Sequence, residues 1–182
     1  MNNKIKDMIS YINNEIENIT YPEQAKSLFE PIEYILSLGG KRIRPLLSLL
    51  SVEMFGGKSE DVILPAIGLE IFHNFTLLHD DLMDKAVKRR GNDTVHIKWD
   101  DNTAILSGDA MQIIAYQFIA KTNKEHLADT LNVFSKTALE ICEGQQYDME
   151  FENRDDVNEN EYLEMIRLKT AVLVGCALKS VL

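Results

Sequence analysis

The chain has 182 residues, 45% apolar and 26% charged, enough for one domain with a sizeable core. Its 29 acidic and 19 basic residues leave a formal net charge of −10, which argues against nonspecific nucleic-acid binding through a broad basic face. No apolar run of about 18 residues occurs, so no transmembrane helix is expected, and Met1-Asn2-Asn3-Lys4 lacks the apolar stretch of a signal peptide.

The chain reads as helices throughout. Residues 4–19 place Ile5, Met8, Ile9, Ile12, Ile16 and Ile19 at helical spacing. Tyr21-Pro22 marks a break, with Pro22 suited to a helix start. A second helix is predicted over 23–38, stopping at Gly39-Gly40. Pro45 opens a third, which ends near Phe55 before Gly56-Gly57. Residues 61–84 carry the stripe Ile63, Ile67, Ile71, Phe75 and Leu78, with Pro65 expected within the first turn. Residues 85–101 read as polar and irregular. A helix then begins near Asn102-Thr103, a cap-like pair, and another covers 124–151. After the acidic connector 155–160, a last helix is predicted from Glu161 to Leu182. Its stretch from Ala171 to Leu178 is apolar on every side, like a core helix needing cover from another subunit or from further chain.

Strand alternation, repeats and linkers are nearly absent, so the expected architecture is one all-α domain over residues 1–182. Cys142 and Cys176 lie in apolar helical patterns without a CxxC pair. They are expected to be buried free thiols, as in a reducing cytoplasm.

The chemistry concentrates in Asp80-Asp81-Leu82-Met83-Asp84, followed by Arg89 and Arg90. Helical spacing puts Asp80 and Asp84 on one face, one turn apart, and turns Asp81 about a quarter turn away. Two like charges at that spacing cost a few tenths of a kcal/mol on an exposed face. A hard cation reverses that cost, and Mg²⁺ suits one or two carboxylates completed by water and phosphate oxygens. Phe72, Phe75, Leu78 and Leu82 place the carboxylates at the mouth of an apolar cavity. The basic clusters Lys41-Arg42-Ile43-Arg44 and Lys88-Arg89-Arg90, set in an acidic chain, suit a local anion site better than a polyanion partner. Taken singly, each cluster reads first as solvated surface charge or exposed salt links of little worth.

The context goes further. The run from His73 to Asp84 with Arg89-Arg90-Gly91 resembles the first aspartate-rich region of the trans-isoprenyl diphosphate synthases (polyprenyl synthetases). Gly39-Gly40-Lys41-Arg42-Ile43-Arg44-Pro45 is similar to that family's upstream basic motif. Thr94-Val95-His96, the run from Ala104 to Ala110, Gly144-Gln145-Gln146-Tyr147-Asp148 and Lys169-Thr170 follow in the family's order. The resemblance covers about residues 30–180.

It implies a bundle of helices around a deep central cavity, usually a homodimer. The implied reaction joins isopentenyl diphosphate to an allylic diphosphate: the allylic C–O bond ionises, the alkene attacks the cation, and a proton leaves, commonly to the departing diphosphate. Asp80 and Asp84 are the implied metal ligands for Mg²⁺, with Asp81 supporting. Arg89, Lys169 and Thr170 are implied on the allylic diphosphate, and Lys41, Arg44, His73 and Arg90 on isopentenyl diphosphate. Gln145 is implied to face the reacting allyl group, with Asp148 near it. Product length is set in this family below the first motif, which singles out Phe72, Phe75 and Thr76. A bulky Phe75 without an insertion in the motif resembles short-chain enzymes making farnesyl or geranylgeranyl diphosphate.

One family element has no counterpart. The second aspartate-rich motif belongs well downstream of Lys169-Thr170, and nothing of that pattern follows here. The expectation is therefore the front part of a prenyltransferase, its C-terminal helices missing and this chain inactive alone. A noncatalytic prenyltransferase subunit would share the same pattern. A class I terpene cyclase shares the aspartate motif but has no use for a second diphosphate site at Lys41-Arg42-Ile43-Arg44. A metal phosphohydrolase, suggested only by His79-Asp80, lacks further spaced His/Asp ligands.

Overall fold

In the computed structural model, which describes residues 3–179, α1 (Asn3–Glu17) turns Met8, Ile12 and Ile16 inward as a single stripe. The next helix does not start at Pro22. α2 (Lys26–Ser37) begins after Ala25, held in the left-handed region at φ 56°, and Pro31 lies inside it. Gly39 and Gly40 take φ values of 73° and 155° and turn the chain into α3 (Ile43–Met54), where Pro45 occupies the first turn.

α4 (Ser59–Met83) is the central element. Its buried residues run from Ser59 to Asp81 and surround the helix, with Ile67, Leu69, Ile71, Phe72 and Leu78 closed off from solvent. Fully burying side chains of this kind stabilises by about 1.5–3 kcal/mol each. Pro65 lies in the second turn rather than the first. By length and composition α4 could cross a bilayer, contrary to the expectation from apolar runs, but 67% of its most apolar window is buried inside the protein. It is the core helix of the bundle.

Residues 85–101 are more ordered than their polarity predicts. Lys88–Arg89 (β1) and Asn92–Asp93 (β2) pair as a two-residue antiparallel hairpin, followed by the short α5 (Val95–Lys98). Thr94 ties the segment down by donating from its hydroxyl to the Ala86 carbonyl at 2.7 Å. α6 (Asp101–Ile119) is capped by Asp100, which accepts from the Thr103 N–H at 2.8 Å. It packs on α4 where Gly68 permits close approach: a Cβ there would lie 3.0 Å from the Ala115 carbonyl oxygen.

α7 (Leu127–Phe151) leads to α8 (Glu159–Ile166), started by a reciprocal capping box between Asn158 and Glu161. The predicted continuous last helix is interrupted. Arg167–Ala171 forms a π-helical turn before α9 (Val172–Lys179), which packs against α3 and α7. Within α9, Leu173, Cys176 and Ala177 are buried, while Leu178 is 40% exposed. The expected helix end at Leu182 lies outside the described residues. Cys142 corrects the thiol expectation: it is exposed, and only Cys176 is buried.

Candidate functional site

α4, α7 and the π turn enclose a cavity of about 480 Å³. Phe75, Thr76, Leu77, Met83, Ile141 and Leu173 give it an apolar body. Asp80, Gln145, Lys169 and Thr170 add polar groups to its wall. Phe72 does not line it. That ring is 1% exposed and stands behind Phe75, with ring centres 5.3 Å apart, and edge-on to Phe134 at 5.0 Å. The helical face shared by Phe72 and Phe75 is covered by α7 at its upper end, which correct phase alone could not reveal.

The carboxylates sit where α4 ends. Asp80 lies 3.0 Å from Lys169 Nζ through Oδ1 and 3.8 Å from an Arg89 Nη through Oδ2. Asp81 is turned inward and buried, accepting from Arg89 Nε at 2.7 Å. That leaves Asp80 and Asp84 as the pair on the open face. Burial first, and then the Asp80 charge, push the Asp84 carboxyl above the ordinary carboxylate range. Lys169 only partly offsets this repulsion, and a divalent cation between the two carboxylates would offset it further. Among the described residues no group of three or more His, Cys, Asp or Glu side chains could hold a metal ion. The chain therefore offers the Asp80–Asp84 pair, and water or ligand oxygens must complete the shell.

Lys169 faces the pair across the cavity mouth. Its ammonium also reaches Asp148 Oδ2 at 2.5 Å, so it bridges α4 and α7. Burial alone would lower its pKa, but the hydrogen bonds to Asp148 and Asp80 outweigh burial and hold it above the ordinary lysine value. The π turn carries this residue. Its trace in the sequence is the buried spacing Met165, Leu168, Leu173, because a step of five is too long for a 3.6-residue period. Gln145 lies beside Met83, with Nε2 3.7 Å from Sδ. His79 lines the cavity but is occupied by packing: its ring meets Phe75 at 4.8 Å and its Nε2 lies 3.2 Å from the Ile105 carbonyl oxygen.

A second pocket, about 450 Å³, adjoins the first. Lys41, Arg42, Arg44, His73 and Arg90 line it, with Glu70 as the one carboxylate. Arg44 and His73 line both cavities. Arg42 and Glu70 are the residues the sequence reading passed over. Arg42 is 4% exposed, and its guanidinium donates to Glu70 Oε1, Asn13 Oδ1 and the Leu36 carbonyl, each at 2.9 Å. The link joins α1, α2, α3 and α4 beneath the pocket floor. No local spacing signals it, because the partners stand 28 residues apart.

The pocket keeps an excess of positive charge. Burial lowers the Arg44 pKa, and its Nε is buried without a hydrogen-bond partner among the described residues. Burial and then the nearby Arg44, Arg90, Arg89 and Arg42 push His73 down to about 3, so it is neutral near pH 7. Arg42 and Arg90 also hold left-handed backbone at φ 49° and 53°. Such conformations cost about 1–2 kcal/mol per non-glycine residue. A Cβ on Gly40 would lie 3.1 Å from an Arg90 Nη, so the glycine makes room for that guanidinium.

An apolar cavity with a carboxylate rim, set beside a basic pocket in an all-helical bundle, is the arrangement of the isoprenoid synthase fold. A solved geranylgeranyl pyrophosphate synthase matches 99% of this chain and 55% of its own, at 53% identity and a TM-score of 0.94. The solved geranylgeranyl pyrophosphate synthetase of the archaeon Geoglobus acetivorans matches with 40% identity and a TM-score of 0.93, over 97% of this chain and 58% of that one. The polyprenyl synthetase family model matches residues 25–182, and the chain belongs to that family. The geranylgeranyl diphosphate synthase of Methanosarcina mazei is 40% identical over 178 residues, 97% of this chain and 55% of the relative. The chain thus spans about half the length of the curated relatives it matches.

Proposed function

We propose that the whole protein is a trans-prenyltransferase that condenses isopentenyl diphosphate with an allylic diphosphate. The observation that carries this reading is the shared wall: Arg44 and His73 separate a basic pocket from an apolar cavity with a carboxylate rim. Two diphosphates can then lie side by side, one held by cationic side chains and one by the rim. In the basic pocket, Lys41, Arg44 and Arg90 bind isopentenyl diphosphate, with Arg able to grip phosphate bidentately. Neutral His73 supplies a hydrogen bond without adding charge. On the rim, Asp80 and Asp84 would hold Mg²⁺, which when bound would supply positive charge to a leaving diphosphate. Arg89 and Lys169, now spent on carboxylates, turn to the allylic diphosphate once the rim is neutralised, with Thr170 beside them. Phe75, Thr76 and Met83 exclude water from the allylic cation, and Gln145 faces it.

The expected product is short, farnesyl or geranylgeranyl diphosphate. Phe75 and Thr76 line the cavity below the rim, and Phe72 acts only as the support behind Phe75. Ile105, Leu106 and Ile113 leave apolar surface on α6, 45%, 61% and 63% exposed, which suits a homodimer. The exposed Cys142 thiol fits a reducing, cytoplasmic setting.

Product analysis tests the reading. The protein carrying this chain at full length is incubated with isopentenyl diphosphate, an allylic diphosphate and Mg²⁺. Elongation to a C15 or C20 product is expected, and Phe75→Ala is expected to lengthen it. No elongation by a folded full-length protein sinks the enzyme reading in favour of a noncatalytic subunit. Unchanged length in Phe75→Ala sinks the role of Phe75 alone.

A further inference from the structure

Gly144 stands well inside α7, where glycine is the poorest ordinary helix former apart from proline. What it meets there is main chain. A Cβ at Gly144 would lie 2.4 Å from the Lys169 backbone nitrogen and 2.8 Å from both the Leu168 carbonyl carbon and Lys169 Cα. A flexible side-chain tip could move aside at such distances, but a hydrogen-bonded turn cannot do so alone. α7 and the π turn therefore touch backbone to backbone, at the residue whose ammonium spans Asp80 and Asp148. Gly175, in α9, meets nothing within 4 Å, so a methyl group there has open space.

We infer that Gly144 is a positioning residue for Lys169, acting through the main chain of the π turn to set where the ammonium lies between α4 and α7. The consequence for ligand binding rests on the proposed diphosphate site, whereas the geometry does not. A larger residue pushes the turn off α7 and carries Lys169 Nζ away from both carboxylates. Displacements of about 1 Å at a positioned group are enough to cost binding or turnover.

The test compares Gly144→Ala, Lys169→Ala, the double variant and Gly175→Ala as the control. Lysine ammonium groups are labelled by reductive ¹³C-methylation and titrated by NMR, with Lys169→Ala assigning the signal. Gly144→Ala is expected to move the Lys169 titration down toward the ordinary lysine value, and Gly175→Ala to leave it in place. Inorganic pyrophosphate with Mg²⁺ then serves as the calorimetric probe. Gly144→Ala is expected to weaken its binding about tenfold in the parent and to add little in the Lys169→Ala background, since residues acting through one contact are non-additive.

An unmoved Lys169 titration in folded Gly144→Ala overturns the inference, and so do additive losses in the double variant. Measurements are made with trimethylamine N-oxide present, which favours the folded state. A Gly144→Ala chain that still does not fold also overturns it, because the residue would then serve packing at large. A parent that binds no pyrophosphate breaks the proposed diphosphate site, while the Lys169 titration still decides the role of Gly144.

Discussion

The two ends of the site manage charge in opposite ways. On the acidic rim, protein cations already answer the carboxylates: Arg89 holds Asp81, and Lys169 lies between Asp80 and Asp148. In the basic pocket Glu70 is the one carboxylate lining the wall beside Lys41, Arg42, Arg44 and Arg90, and Arg42 takes it up. The rim's ion pairs are partly exposed, whereas the pocket is pinned beneath by a buried ion pair and strained at two arginines. A site that must accept a metal ion together with its ligand profits from cations it can release. A site that binds one anion directly profits from positive charge fixed before the anion arrives.

The sharpest way to break this contrast is to remove the pin. Arg42→Ala strands Glu70 in the interior, and such losses cost about 3–5 kcal/mol. A large fall in Tm is expected, and a small one would show that the pocket is not preassembled. Next in size, Asp80→Asn in the full-length protein is expected to lower kcat/KM about 10²–10³-fold, in the range seen when one electrostatic stabiliser of a transition state is lost. Retained turnover would detach the rim from the chemistry.

A smaller effect should appear with pH. His73 is held at about 3 against an ordinary histidine value of 6.5, so the unfolded chain takes up a proton first as pH falls. Stability therefore drops below about pH 6.5, by roughly 1 kcal/mol near pH 5.5 from this group alone. His73→Gln should flatten that part of the curve, read from urea midpoints at a series of pH values. The smallest effect concerns the rim without ligand. Asp84→Asn relieves repulsion from Asp80 and should leave stability unchanged or raise it by a few tenths of a kcal/mol, even as it lowers turnover as Asp80→Asn does.

Helical phase explains what the sequence could and could not reveal. The i, i+4 spacing of Asp80 and Asp84 already puts both on one face, and the order of motifs from Gly39 to Thr170 already implies the fold. Periodicity says which face a residue occupies but not what covers it. Phe72 and Phe75 share a face, yet only Phe75 reaches the cavity, because Phe134 of α7 closes over Phe72. Cys142 sits in an apolar pattern, yet it is exposed on the wall of a cavity. Arg42 and Glu70 meet only after three helices fold together. The hairpin at Lys88–Arg89 and Asn92–Asp93 was too short to show strand alternation, and it turns at Arg90-Gly91, where both residues take positive φ.

The wide turn at Arg167–Ala171 has a further consequence, one of chain counting. Each residue added to or removed from an α-helix rotates everything beyond it by about 100°. The wide turn absorbs one such residue, so a one-residue deletion within 167–171 would restore an unbroken helix that keeps Leu173, Cys176 and Ala177 in phase with Met165 and Leu168, while losing the turn that aims Lys169. α9 is thus indexed to α8 through the turn that carries Lys169. Removing one residue there should therefore spare the core and cost the site, whereas adding one should turn α9 off the core.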